Sequence, residues 1–365
     1  MAVQFQSIAA LSPLLIEDFG IGLGDIGFLI GLYFAPGVVF ALPGGAVAAW
    51  FGDKRIVAFG MLLMLVGGAV IAMTESWNVF VVSRFIVGIG GVILNVVMTK
   101  LLVDWFAGKE ISTAMAIFVN SWPVGIALAL LVLPYLATSG GIALAWWSIF
   151  AFTAVTLVVF AVFYHAPEDA ADAAVVIERT KLPVLALVFA SFVWGFYNAA
   201  LAMVFSFGPT FFVQQGWTLP SAGSVTSLFM LLFSLALPVG GVIADKTGRK
   251  DLTILVSLIA FAALMPLAVF VPSSAFAVFC VLGVLFAFGA GPIMTLPAEV
   301  LSAKSRSLGM GFFFTIYYVL MMISPRIAGG AAEAADDAGV AILVGAAMSF
   351  VAALALLGFR VLSRR

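Results

Sequence analysis

Long apolar runs broken by short polar punctuation dominate this chain, and their lengths predict helices. The runs lack the ten-residue alternation of a membrane barrel and are long enough for spans of about 20 residues. Gly, Pro and charged residues between them place helices over 2–16, 25–50, 56–73, 79–104, 111–136 and 142–164. A polar stretch, 165–181, follows with P-E-D-A-A-D and E-R-T-K and reads as a linker. Six further helices are expected over 182–213, 221–244, 252–271, 274–298, 307–330 and 339–360. The expected fold is therefore an all-α polytopic membrane protein of twelve spans, with six-helix bundles at 1–164 and 182–365.

The first run departs from the others. At about 1.5 Å per residue it falls short of the bilayer core. No basic region precedes it, since the first basic residue is Lys54, so it does not read as a signal peptide. The expectation is a start truncated or misassigned within the first span, which the intact mass of the natively expressed protein would test.

Composition agrees with the pattern: 64% of residues are hydrophobic and 9% charged, where soluble proteins carry roughly a quarter charged. The net charge of −1 says little, but the placement of charge says more. With the amino terminus cytoplasmic, Lys54, Arg55, Lys109, Arg179, Lys181, Lys246, Arg249, Lys250, Lys304, Arg306, Arg360, Arg364 and Arg365 all face the cytoplasm. The opposite loops then carry acids such as Glu17, Asp18, Glu75, Asp336 and Asp337. A miscounted helix would scramble this asymmetry, so both termini are expected to be cytoplasmic. Trp50, Trp77, Trp105, Trp146, Trp147 and Trp217 fall near helix ends, as interfacial anchors do. Cys280 is the single cysteine, which leaves no intramolecular disulfide or cysteine-rich metal site.

The most specific stretch is G-V-I-A-D-K-T-G-R-K at 241–250, a charged turn between two apolar runs. It resembles the signature loop of the major facilitator superfamily, G-x-x-x-D-[RK]-x-G-[RK]-[RK], in Gly241, Asp245, Lys246, Gly248, Arg249 and Lys250. Ala41 opens a similar stretch at the same place in the first half, A-L-P-G-G-A-V-A-A-W-F-G-D-K, with Ala49 where the acid belongs and Trp50 where the base belongs. Arg84 opens R-F-I-V-G-I-G-G, similar to a second signature, R-x-x-x-G-x-G, on the fourth span. The resemblance implies two six-helix pseudo-repeats, a solute site between them near the midplane, and alternating access by rocking. It also implies that Asp245 with the Arg249 and Lys250 turn stabilises the inward-closed state. The stretch from Leu94 across the fourth and fifth spans looks like bacterial carriers grouped with cyanate-type or nitrate-type transporters. That places the protein in a bacterial cytoplasmic membrane. Nitrate carriers would be expected to hold an Arg on spans two and eight, and neither span has one, which disfavours nitrate.

Charges inside a membrane cost several kcal/mol unless they meet a cavity or a partner, so Arg84 is a candidate substrate contact. Hydrogen bonding to backbone carbonyls is the structural alternative. Arg326, in I-S-P-R on the eleventh span, is expected either to snorkel or to pair with Asp25 as an outer gate. Lys100 has Asp104 one turn away as its simplest partner. Trp122 and Trp194 lie mid-span, and Trp194, Tyr197, Asn198, Leu201 and Phe205 share one helical face. With Asn95, Asn120, Tyr317, Tyr318, Gln4 and Gln6 they form a candidate cavity lining, each with interhelical packing as the alternative. Pro36, Pro43, Pro123, Pro292 and Pro297 mark expected kinks.

No Asp or Glu sits squarely inside a span, and the sole histidine, His165, lies at the linker. Coupling to protons, if present, then uses an edge group such as Glu299, the absent part of span one, or the substrate itself. Two intramembrane arginines without counter-acids favour an anionic substrate. The expected activity is secondary transport of a small organic or inorganic anion, with export of drugs or metabolites as the alternative reading. A sensor on the same fold is a third, separable by counterflow. No phosphate-binding loop supports an ATP-driven pump, and the residues for an enzyme site are missing. No cofactor, metal or nucleic acid is expected, and the bilayer and a small solute are the expected partners of a monomer.

Overall fold

The computed structural model describes residues 1–40, 52–106, 110–165, 182–302 and 305–363, apart from the side chains of 103, 104, 111–113, 306 and 307. The described chain is helical and its elements follow the predicted punctuation. They run α1 (Ala2–Ala10), α2 (Ser12–Phe19), α3 (Leu23–Leu32), α4 (Ala35–Phe40), α5 (Asp53–Met73), α6 (Trp77–Phe106), α7 (Ile111–Gly140) and α8 (Ile142–Phe163). The second half comprises α9 (Val184–Gln214), α10 (Leu219–Thr247), α11 (Lys250–Phe270), α12 (Ala275–Ala287), α13 (Ala290–Met294), α14 (Leu296–Val300), α15 (Arg306–Ala335) and α16 (Gly339–Ser363). Among the described residues, eleven stretches are long and apolar enough to cross a membrane, and the α1–α2 pair occupies the place of a twelfth.

Proline explains where single spans break. Pro13 cannot donate to the Ala9 carbonyl, and the Ser12 hydroxyl takes that acceptor instead, at 3.0 Å. Pro36 likewise cannot continue from α3, so α4 starts anew. Pro292 and Pro297 divide the tenth span into α12, α13 and α14. Pro123 behaves otherwise, lying inside the uninterrupted α7. Pro43, Trp50, the first signature-like turn at 41–51 and the linker at 166–181 lie outside the described residues.

Spans two and eleven, α3 with α15, pack together, as do spans five and eight, α7 with α10. These pairs join the first six spans to the last six. Glycine lets α3 approach α15 backbone to backbone: a Cβ at Gly27 would fall on the Pro325 carbonyl, and one at Gly31 on the Met322 carbonyl. Trp105, Trp147 and Trp217 are exposed, as anchors should be. Trp146 corrects the expectation, being buried edge-on against Phe80 with ring centroids 5.8 Å apart.

Candidate functional site

Aromatic rings from both groups of spans meet where α1, α3, α7, α9 and α15 converge. Phe5 is at the centre, 5.1 Å from Phe34, 5.4 Å from Trp122 and 5.9 Å from Phe205. Phe34 carries the contact on to Tyr317 at 6.4 Å, and Tyr317 lies 6.3 Å from Trp194. Trp122, Trp194, Asn95, Asn120, Asn198 and Tyr317 are half-buried, whereas Phe5 and Phe34 are fully enclosed. Neutral amides and indole thus border an aromatic plug.

Polar contacts cross the same junction. Asn95 donates to the Tyr318 hydroxyl at 3.2 Å, and the Ser234 hydroxyl donates to Asn120 Oδ1 at 2.8 Å. Gln6 Nε2 donates to the Phe205 carbonyl at 2.6 Å. Each bond joins an early span to a late one, so the Asn95 and Asn120 amides couple the halves in this conformation. Asn198 is bonded within its own helix, to the Trp194 carbonyl at 2.8 Å. Trp194 Nε1, Tyr33 Oη, Gln4 Oε1 and Gln6 Oε1 are buried without a hydrogen-bond partner, a state that protein interiors rarely tolerate.

Two expected lining residues are placed elsewhere. Tyr197 is 1% exposed, its ring stacks on Phe286 at 4.3 Å, and its hydroxyl donates to the Phe286 carbonyl at 2.8 Å. The broken tenth span leaves that carbonyl available, and Ser257 donates to it as well. Tyr197 is therefore a core residue of the later spans, although it shares a helical face with Trp194.

Arg84 is the second correction. Its side chain is 0% exposed and donates to the carbonyls of Leu29 at 3.1 Å, Gln4 at 2.9 Å and Phe5 at 2.8 Å. The guanidinium lies over the Tyr33 ring at 4.8 Å. Three of its five N–H groups are thus engaged by spans one and two, and the direct substrate contact expected from the sequence gives way to a buried structural charge. No acid among the described residues is paired with it. Gly88 and Gly91 make room for Tyr33, whose hydroxyl would collide with a Cβ at Gly91.

The two ends of the bundle differ. At one end Arg326 Nη1 pairs with Asp25 Oδ1 at 3.1 Å, and Gly24 N–H donates to Glu333 Oε2 at 2.8 Å. Ser12 and Thr210 hydroxyls also meet across the halves near this end, at 2.8 Å. At the other end the ion pairs among the described residues stay within one group of six. Lys100 meets Asp53 at 2.8 Å, and the side chain of Asp104, its expected partner, lies outside the described residues. Lys54 donates to the Tyr164 carbonyl at 2.8 Å. Lys250 pairs with Glu299 at 2.9 Å, and Arg360 bonds both Glu299 and Asp251.

The signature turn itself is open. Gly248 takes the left-handed conformation, φ 64°, that ends α10, and α11 begins two residues later. Asp245, Lys246 and Arg249 are exposed, and among the described residues their side chains have no hydrogen-bonded or ionic partner. Gly241 has open space where a Cβ would point, while neighbouring Gly240 is the one pressed onto Phe288. Sequence reading missed Phe5, Phe34, Ser234 and Glu333. The stripe Gly24, Gly27, Gly31 on span two was the available signal for the closed end. A cavity of about 460 Å3 among Phe211, Gln214, Val269, Asp336 and Asp337 holds none of the candidate residues.

Comparison with known proteins completes the picture. The chain is 25% identical over 252 residues to a protein described as "Probable nitrate transporter NarT" of Staphylococcus epidermidis, covering 66% of this chain and 62% of that relative. The chain therefore spans under two thirds of the length of that curated relative. Among solved structures, a bacterial homologue of the human lysosomal transporter Spinster, in an inward-facing and occupied conformation, superposes with a TM-score of 0.74 at 15% identity, over 100% of this chain and 94% of that one. The nucleoside transporter NupG, solved as a point mutant, gives 0.75 at 14% identity over 98% of each. The sequence pattern described as Major Facilitator Superfamily matches residues 1–223 and 184–365, so this integral membrane protein belongs to that superfamily.

Proposed function

We propose that the protein is a secondary transporter of a small anion, with residues 1–164 and 182–365 rocking about the aromatic junction. The observation that carries the anionic reading is Arg84, a charge fully enclosed without a paired acid among the described residues. It acts through its field. At a separation on the order of 10 Å and an effective dielectric near 20, one such charge favours an anion by about 1.5 kcal/mol. Trp194 Nε1–H, buried without an acceptor, is the donor best placed to receive a substrate oxygen, with Asn198 one turn along the same helix. A relative described as a nitrate transporter supports the same charge class.

The closed Asp25 end and the separate ion clusters at the Lys250 end describe one extreme of the rocking cycle. With the termini cytoplasmic, this is the inward-open extreme, in which Asp245, Arg249 and Lys246 have yet to find their partners. The half-buried rings of Trp122, Trp194 and Tyr317 favour a second reading, a carrier of neutral aromatic solutes. Counterflow in proteoliposomes separates the two. Small inorganic anions and carboxylates should exchange, and Arg84→Gln should raise the half-saturating concentration about tenfold, the counterpart of about 1.4 kcal/mol. Exchange of neutral compounds alone, unchanged by Arg84→Gln, would overturn the anionic reading.

A further inference from the structure

Ring surface at the aromatic junction comes from both halves. Trp122, on α7, is backed by Phe5 at 5.4 Å, and Phe5 is 1% exposed, so one side of the indole is sealed while the residue stays half-buried. Tyr317, on α15, is half-buried as well, 6.3 Å from Trp194 and 6.4 Å from Phe34. Phe5 and Phe34, 5.1 Å apart, connect the two surfaces. Rings that keep accessible surface in this way receive a further ring by offset or edge-on contact. Trp194 contributes differently. The fully buried Tyr197 stacks on it at 5.9 Å, and its Nε1–H is buried with no acceptor, a lack that costs free energy until a ligand oxygen supplies one. Tyr317 thus sets ring surface near an unused donor.

The positive charge stands behind this surface and not in it. Arg84 Cζ is 5.8 Å from the Phe5 ring, and three of its N–H groups go to backbone carbonyls. An inorganic anion entering here would shed water without gaining a hydrogen bond from a charged donor. A carboxylate attached to a ring offsets that loss by apolar burial, and the field of Arg84 still favours its charge. We propose that the solute is a small aromatic monocarboxylate of the size of benzoate: its ring packs on Trp122 and Tyr317, and Trp194 Nε1–H donates to its carboxylate. This rests on the anionic reading above and narrows it. An enclosed cation and an aromatic lining, which point separately to anions and to neutral aromatic solutes, both suit this one class.

Equilibrium dialysis of the full chain in detergent, with protein-free micelles as the blank, gives a dissociation constant for each of benzoate, cyclohexanecarboxylate, acetate, nitrate and benzyl alcohol. Benzoate should bind about threefold to tenfold more tightly than cyclohexanecarboxylate, which has a ring but no π face, and about thirtyfold more tightly than acetate. Nitrate should rank with acetate. Trp122→Leu and Tyr317→Leu should each bring benzoate towards cyclohexanecarboxylate, a ratio that a mere loss of folded protein would not move. Trp194→Phe, which keeps a ring and removes the N–H, should weaken both carboxylates about tenfold and leave their ratio alone. Cyclohexanecarboxylate binding as tightly as benzoate, nitrate binding more tightly than benzoate, or no saturable benzoate binding would overturn the aromatic class and leave the anionic reading standing. Benzyl alcohol matching benzoate, with neither affected by Arg84→Gln, would instead remove the anionic reading itself.

Discussion

The two ends of this bundle hold together in opposite ways. At the Asp25 end the halves meet backbone to backbone, with Gly27 against Pro325, Gly31 against Met322 and Gly329 against Leu23. The ion pair seen there among the described residues, between Arg326 and Asp25, is 52% and 38% exposed and is worth under about 1 kcal/mol. At the Lys250 end the stronger ionic clusters tie span starts to span ends inside each half. Lys54 and Asp53 secure α5 to α8 and α6. Asp251, Glu299 and Arg360 secure α11 to α14 and α16. Strong ties within halves and weak, short-range contacts between them are what two bodies that must separate and rejoin require.

That contrast can be broken most severely at Gly27. A leucine there cannot coexist with the Pro325 carbonyl, and overpacking of this kind costs about 1–3 kcal/mol. Gly27→Leu should therefore lower the initial transport rate at least about tenfold, with little change in melting temperature because each half stays intact. A large fall in melting temperature would show that the contact belongs to the core and not to a gate.

Arg84 sharpens the comparison from inside one half. Arg84→Met removes the donors to the Leu29, Gln4 and Phe5 carbonyls, and it should destabilise by about 2–4 kcal/mol in thermal unfolding. The effect should be the same whichever end is open, since all three acceptors lie in the first two spans. Smaller still is Asn95→Leu, which cuts a bond between halves of the sort measured at about 0.6 kcal/mol in membranes. Transport kinetics should shift by about twofold to threefold. Least of all, exchanging Asp25 and Arg326 for one another should restore most of the activity that either single change removes, with a deficit that shrinks in high salt. Failure of the double exchange to recover any transport would count against the pair as a gate.

Much of this was legible in the chain. Punctuation by Gly, Pro and charge located the spans, because a bilayer leaves few alternatives to a helix. The turn at 241–250 gave the family, and pairing with Asp25 was one of the two expectations for Arg326. Arg84 and Tyr197 were misplaced for one reason. A residue type and a helical face say that a polar group is inside, but not whether it faces a neighbour's carbonyl or a solute. The carbonyl that holds Tyr197 is freed by a break in the tenth span, and those that hold Arg84 come from spans one and two. Both depend on packing between helices distant in sequence. Glu333 was invisible because its partner is a backbone amide at Gly24, which leaves no side-chain signature.

The most direct test of two bodies rocking about one junction follows both ends at once. Spin labels at Ser76→Cys and Ser273→Cys report the Asp25 end, and labels at Arg55→Cys and Leu252→Cys, also exposed, report the Lys250 end. Introducing Gly27→Leu into both pairs should lengthen the first distance and shorten the second. A change at the Asp25 end with none at the other, or a lengthening at both, would contradict the account.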